Sequence, residues 1–280
     1  GAKYTVEDLL RKAESYLSSM ETIPLAEKFY AKALQMEPDN TSIMDDYAEC
    51  LLELDQIDAA ADLIKRSIEQ DPEGGYQKYM IAGQLAAGME SLSCFNKGID
   101  VLTRFYEEEK QENGETSEKA KELASHVSTA YCSMAEIFMT DCCFEEGAEE
   151  ECTRLIEEAI KWNHLNAEAH LLRAQCFLAK SEPEMALPSA LTSFSLWKDK
   201  DEGEWPPYAV RVSTAKIFIE LRHLSDATEL LEKLTHEDDE DSEIWYLLAL
   251  CYYNIADDDK NESDCLYDAE ECLTKSLRLL

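Results

Sequence analysis

The sequence predicts an all-α fold: a right-handed superhelical solenoid of about seven helical hairpins, continuous over residues 1–280. Three observations predict it. Glycine and proline are scarce, 9 and 7 in 280 residues, too few for a β-protein rich in tight turns or for Gly-rich phosphate loops. A small-residue pattern recurs: Ala26, Tyr30 and Ala33 precede Pro38 by 12, 8 and 5 residues, and Ala60, Ile64 and Ser67 precede Pro72 by the same intervals. The period is 34 residues, from Pro38 to Pro72 and again from Ala215 to Ala249. Two antiparallel helices come close only where side chains are small, and a proline ends the second helix before the next begins.

The hairpins begin near residues 7, 41, 76, 128, 167, 208 and 242. The first two carry the paired pattern above. The third has Tyr79, Ala82 and Gly83, a shortened turn, then Ser91, Phe95 and Gly98. Residues 107–118 (EEEKQENGETSE) interrupt it as a longer helix end plus a loop. The fourth has Tyr131, Met134, Ala135 and Phe138, then Cys152, Ile156 and Ala159, with a turn expanded over 141–151. The fifth carries Ala174, Phe177, Ala186, Ala190 and Ser193. Residues 198–207 separate it from the sixth, because Pro206-Pro207 disfavours helix just before them. The sixth carries Ala215, Phe218, Ala227, Leu231 and Leu234. The seventh carries Trp245, Leu248, Ala249 and Tyr252, with a turn expanded over 257–264. This spacing resembles the tetratricopeptide repeat, W-x2-L-G-x2-Y, then A-x3-F, then P.

Charge narrows the partners. Sixty Asp and Glu against 26 Lys and Arg give a formal charge of −34. Such a chain repels phosphate backbones and anionic lipid, so direct nucleic-acid or membrane binding is not expected. No run of 18 apolar residues exists to span a bilayer. Gly1-Ala2-Lys3-Tyr4 lacks an initiator Met and an apolar signal core, and reads as a trimmed start. The ten cysteines sit mostly within apolar helical patterns, as small buried hydrophobes of a reducing compartment.

Motifs for chemistry are missing. The sequence has no G-x-x-x-x-G-K-[ST], G-x-G-x-x-G, H-E-x-x-H or G-x-S-x-G. Five scattered histidines, and Cys142, Cys143 and Cys152 without partners at zinc spacing, offer no metal set. We expect neither an enzyme nor a cofactor.

Stacked hairpins instead offer a concave groove lined by their first helices. Positions on those helices facing away from the second helices select Asp8, Asp45, Glu49, Glu53, Glu136, Glu168, Glu220 and Glu243. They also select Tyr246 and Tyr253, with Met80, Met139, Leu171 and Leu178 as apolar company. Cations are few: Arg11 and Lys216. Such a groove suits an extended Lys/Arg-rich peptide, since many weak ion pairs act together and aromatic or thioether side chains receive the cationic stems. A clamp for a C-terminal carboxylate would need cations where Asp45 and Glu49 stand.

The first repeat (YTVEDLLRKAESYL…AEKFYAKALQMEPDN), the segment IAGQLAAGMESLSCFNKGIDVL with its following acidic run, and the overall acidity resemble the assembly-chaperone family of large-subunit ribosomal protein L-four. Within that segment Gly83, Gln84, Leu85, Gly88, Glu90 and Ser91, with Lys97-Gly98, carry the likeness. The resemblance implies a monomer that captures one new basic ribosomal protein in the cytoplasm, shields its long basic extension and releases it at the nuclear pre-ribosome. The alternative is a tetratricopeptide scaffold subunit of a multiprotein complex, working through apolar contacts.

Overall fold

The computed structural model describes residues 4–258 and 262–280. Among these are fourteen α-helices and one 3-10 turn, and no strand. They are α1 (Val6–Ser15), α2 (Ile23–Met36), α3 (Thr41–Glu53), α4 (Ile57–Gln70), α5 (Gln77–Leu85), α6 (Gly88–Asn113) and α7 (Glu118–Met139). There follow α8 (Ala148–Trp162), α9 (Ala167–Ala179), α10 (Pro183–Ser195), α11 (Tyr208–Glu220), α12 (Leu224–Glu237), α13 (Ser242–Asp258) and α14 (Glu262–Leu279). Each odd-numbered helix packs on the even one that follows it. The chain divides into two compact units, Gly1–Asn163 and His164–Leu280.

Small residues set the pairing inside each unit. Ala13, Ala26 and Ala33 are fully buried in the first pair, and Ala60 and Ser67 in the second. In the second unit Ala174, Ala186, Ala190, Ala215 and Ala227 are equally buried. Gly83 and Gly98 do the same for α5 and α6. A Cβ on Gly83 would meet the Phe95 ring at 2.8 Å, and one on Gly98 would meet the Met80 methyl and, at 3.1 Å, Tyr79 Cβ. Met80 therefore packs against α6.

Local signals fix the helix ends. Thr5 and Asp8 form a reciprocal capping box on α1. Asn40, Ser117 and Asn166 accept backbone N–H bonds at the starts of α3, α7 and α9. Asp55, Ser181 and Arg222 close α3, α9 and α11 in the left-handed region, at φ 58°, 60° and 54°. The next residue of each donates to a carbonyl five residues back, Gln56 to Leu51, Glu182 to Phe177 and His223 to Phe218, at 2.8–2.9 Å.

Two boundaries differ from expectation. The fourth pair begins at Glu118, ten residues before 128. Ser117 caps the helix there, and Ala120 and Leu123 are buried, so α7 gains its extra turns from packing against the long α6. Only Gly114–Ser117 separates the two helices, so the charged run 107–118 is mostly helix. The acidic turn expected at 257–264 begins within α13 and ends within α14, and residues 259–261 lie outside the described ones.

All ten cysteines carry free thiols, six of them buried. Among the described residues no helix is long and apolar enough to cross a membrane.

Candidate functional site

Helix α3 of the first unit is acidic. Its sequence, TSIMDDYAECLLE, contains Asp45, Asp46, Glu49 and Glu53 and no Lys or Arg. Asp45, Glu49 and Glu53 are successive i, i+4 positions and so form one stripe. Glu49 and Glu53 are exposed. Asp45 is 5% exposed and lies beside Ser67 and the buried Lys78. The residues after α4 cover it, and Gly75 sits against its carboxylate. Burial raises its carboxyl above the usual range, opposed by Ser67 and Lys78. Lys78 Nζ donates to the Asp71 carbonyl in the same cluster. Asp45 thus belongs to the buried junction of α3, α4 and α5, behind the surface where the sequence put it.

Neighbours extend the face across hairpins. Desolvation, then Asp45 and Glu14 of α1, push the Asp46 carboxyl up. Desolvation, then Asp46, Asp45 and Glu53, raise Glu49. Tyr76, just before α5, has its hydroxyl raised by desolvation and by Glu122 of α7 and Glu49 of α3. Its ring lies 5.4 Å from that of His126, whose Nε2 is 3.7 Å from Glu122 Oε1. Glu136 is exposed farther along α7, and its carboxyl is raised by desolvation. Acids of α1, α3 and α7 thus act on groups of a neighbouring hairpin. The contrast is Glu73, held low by the Lys97 hydrogen bond and by Arg104, both on α6, at 2.8 and 3.2 Å.

The second unit is organised differently. Gln175 of α9 bonds Ser213 of α11 at 3.1 Å, and Lys216 of α11 pairs with Glu243 of α13 at 2.8 Å. Glu243 is thus already neutralised by the one cation the sequence placed among these positions of the second unit. Glu220 is exposed at the end of α11, and Glu168 is half-buried in the first turn of α9. Leu171 belongs to the core. Tyr246 and Tyr253 are 50% and 60% exposed and line a hollow of about 330 Å³ with Leu250, Leu266 and Leu273. Its wall is almost wholly apolar and fits hydrocarbon better than charge. Sequence reasoning missed Glu14, Asp46, Tyr76, Glu122 and His126; the absence of any cation in α3 was the available signal. Among the described residues no group of three His, Cys, Asp or Glu is arranged to hold a metal.

Comparison with known proteins bears on this arrangement. The tetratricopeptide-repeat family model matches residues 21–82. A solved structure of an assembly chaperone of RpL4, Acl4, superposes with a TM-score of 0.80 at 24% identity, covering 91% of this chain and 98% of that one. The chain has the fold of a tetratricopeptide-type array of helical hairpins.

The crystal structure of the APC/C hetero-tetramer Cut9–Hcn1 is less similar in fold, with a TM-score of 0.60 at 14% identity, over 98% of this chain and 46% of that one. In sequence, a probable assembly chaperone of rpl4 from Schizosaccharomyces pombe is 34% identical over 199 residues, 69% of this chain and 57% of the relative. One from Emericella nidulans is 26% identical over 247 residues, 84% of this chain and 60% of the relative. The chain thus spans less than two thirds of the length of the curated relatives it matches.

Proposed function

We propose that this protein is a dedicated chaperone of a newly made ribosomal protein, rpl4 by the descriptions of its relatives, and that it works without catalysis. In this reading it binds and shields a Lys/Arg-rich extension and escorts it from the cytoplasm to the nuclear pre-ribosome as a one-to-one complex. The observation that carries the proposal is the cation-free stripe of α3, with Glu14 and Glu122 acting from neighbouring hairpins.

The mechanism is charge neutralisation. An rRNA-binding extension is unstructured without RNA, and its cations attract stray phosphate. Carboxylates held on rigid helices occupy those cations; Asp46 and Glu49 are raised first by desolvation and then by acidic neighbours, and Glu136 by desolvation. A single exposed ion pair contributes only about 0–1 kcal/mol, so affinity comes from number and from field. Release follows when rRNA phosphates compete for the same cations. The test is a titration of the chain with the basic extension of rpl4 at about 0.1 M salt, where screening is partial. Saturable binding supports the proposal, and no binding removes it.

The scaffold reading draws on the hollow at Tyr246 and Tyr253. Ionic strength separates the two, because an apolar contact holds in salt while a charge-neutralising one does not.

A further inference from the structure

A second hollow, of about 420 Å³, opens where the α1–α2 turn meets the C-terminal half of α3. Its floor is Ile23 and Cys50, 3% and 1% exposed. Its wall is Leu17 and Met20, 40% and 66% exposed, with the exposed Ser18 and Ser19 between them. Over this apolar cup stand Glu49 and Glu53, one helical turn apart. Neither carboxylate is in an ion pair among the described residues. Like charges at this spacing repel one another. Two unmet demands thus face one cavity: apolar surface left in water, and two adjacent anions without a cation.

We infer that this hollow seats a single arginine side chain of the bound polypeptide. An arginine answers both demands at once. Its methylene stem covers Leu17 and Met20, while its planar fork of five N–H donors serves two carboxylates. Guanidinium is also less strongly hydrated than ammonium, so it enters an apolar-walled cup more readily than lysine does. The thioether of Met20 adapts to the stem. The inference rests on the proposed cationic ligand and adds where one of its side chains goes. It predicts that the ligand is read at one point by shape as well as by charge.

The test uses the 280-residue chain with 13C-labelled Met and Ile methyls, titrated with N-acetylarginine methylamide. N-acetylnorleucine methylamide is the uncharged control. Saturable shifts at Met20 and Ile23, absent with norleucine and lost in the Glu49→Gln/Glu53→Gln variant, support the seat. Met20→Ser, which leaves charge untouched, should weaken arginine binding at least threefold. Circular dichroism confirms that the variants fold; all three positions are exposed. No saturable shift at Met20, or an unchanged response in the double Gln variant, overturns the seat. A parallel titration with a Lys/Arg-rich peptide separates the two claims. Peptide binding without a Met20 shift overturns the seat alone, and arginine binding without peptide binding overturns the chaperone reading alone.

Discussion

Lys216 Nζ of α11 lies 2.8 Å from Glu243 Oε1 of α13. The pair bridges two first helices of the second unit, with both side chains about half exposed. It neutralises one of the carboxylates that the sequence selected as a candidate ligand contact. An exposed pair of this kind contributes about 0–1 kcal/mol to stability. Lys216→Gln should therefore shift unfolding by less than about 0.5 kcal/mol, while raising affinity for a Lys/Arg-rich peptide about two- to threefold. Urea melts and peptide anisotropy check the two halves.

The acidic stripe gives a prediction of pH dependence with two opposite signs. Asp45, Asp46, Glu49 and Glu136 have folded carboxyls raised, chiefly by desolvation. The folded state then binds protons more readily than the unfolded one, whose carboxyls titrate near 4. These four groups make stability rise as pH falls from neutrality through their raised range towards that of free carboxyls. Glu73, Glu151 and Glu237, held low by cationic partners, act the other way, and their contribution fades as pH falls through the unperturbed range and below it. Peptide affinity should fall as Asp46, Glu49 and Glu136 take up protons, because that removes the attracting charge. Thermal melts and binding isotherms at pH 7, 6 and 5 measure both trends.

Gly83→Ala tests the packing of α5 on α6. Alanine is the better helix former by about 1 kcal/mol. Its methyl would lie 2.8 Å from the Phe95 ring, which is 3% exposed and has nowhere to go. Overpacking costs typically 1–3 kcal/mol, so we expect a net loss of about 1 kcal/mol in chemical denaturation.

Asp55→Gly should do the reverse. Asp55 ends α3 at φ 58°, a region that glycine adopts without strain. The strain relieved, about 1–2 kcal/mol, exceeds glycine's entropic cost of about 0.5–1 kcal/mol. A gain of about 0.5 kcal/mol in unfolding free energy is expected.

The helical hairpins were legible because their spacing is a steric requirement. Ala26, Ala33, Ala60, Ala215 and Ala227 are fully buried in the structure. The start of α7 was not legible, since its first turns exist through contact with α6, and α6 outruns the 34-residue period. Of the candidate positions, Glu49 and Glu53 are exposed, as helical periodicity alone placed them. Asp45 was misplaced because its cover comes from the chain around Gly75, which the position rule for one helix does not see. Glu14, Asp46 and Glu122 were missed for the same reason: each matters through a neighbour on another hairpin.

The central claim is that carboxylates on the α3 face hold a Lys/Arg-rich segment. The most direct measurement is the affinity for the rpl4 extension as a function of salt, in the unmodified chain and in Glu49→Lys/Glu53→Lys. We predict a fall of tenfold or more between 0.05 and 0.3 M salt, and loss of binding in the double reversal with helicity unchanged. Binding that ignores salt and survives the double reversal would contradict the account.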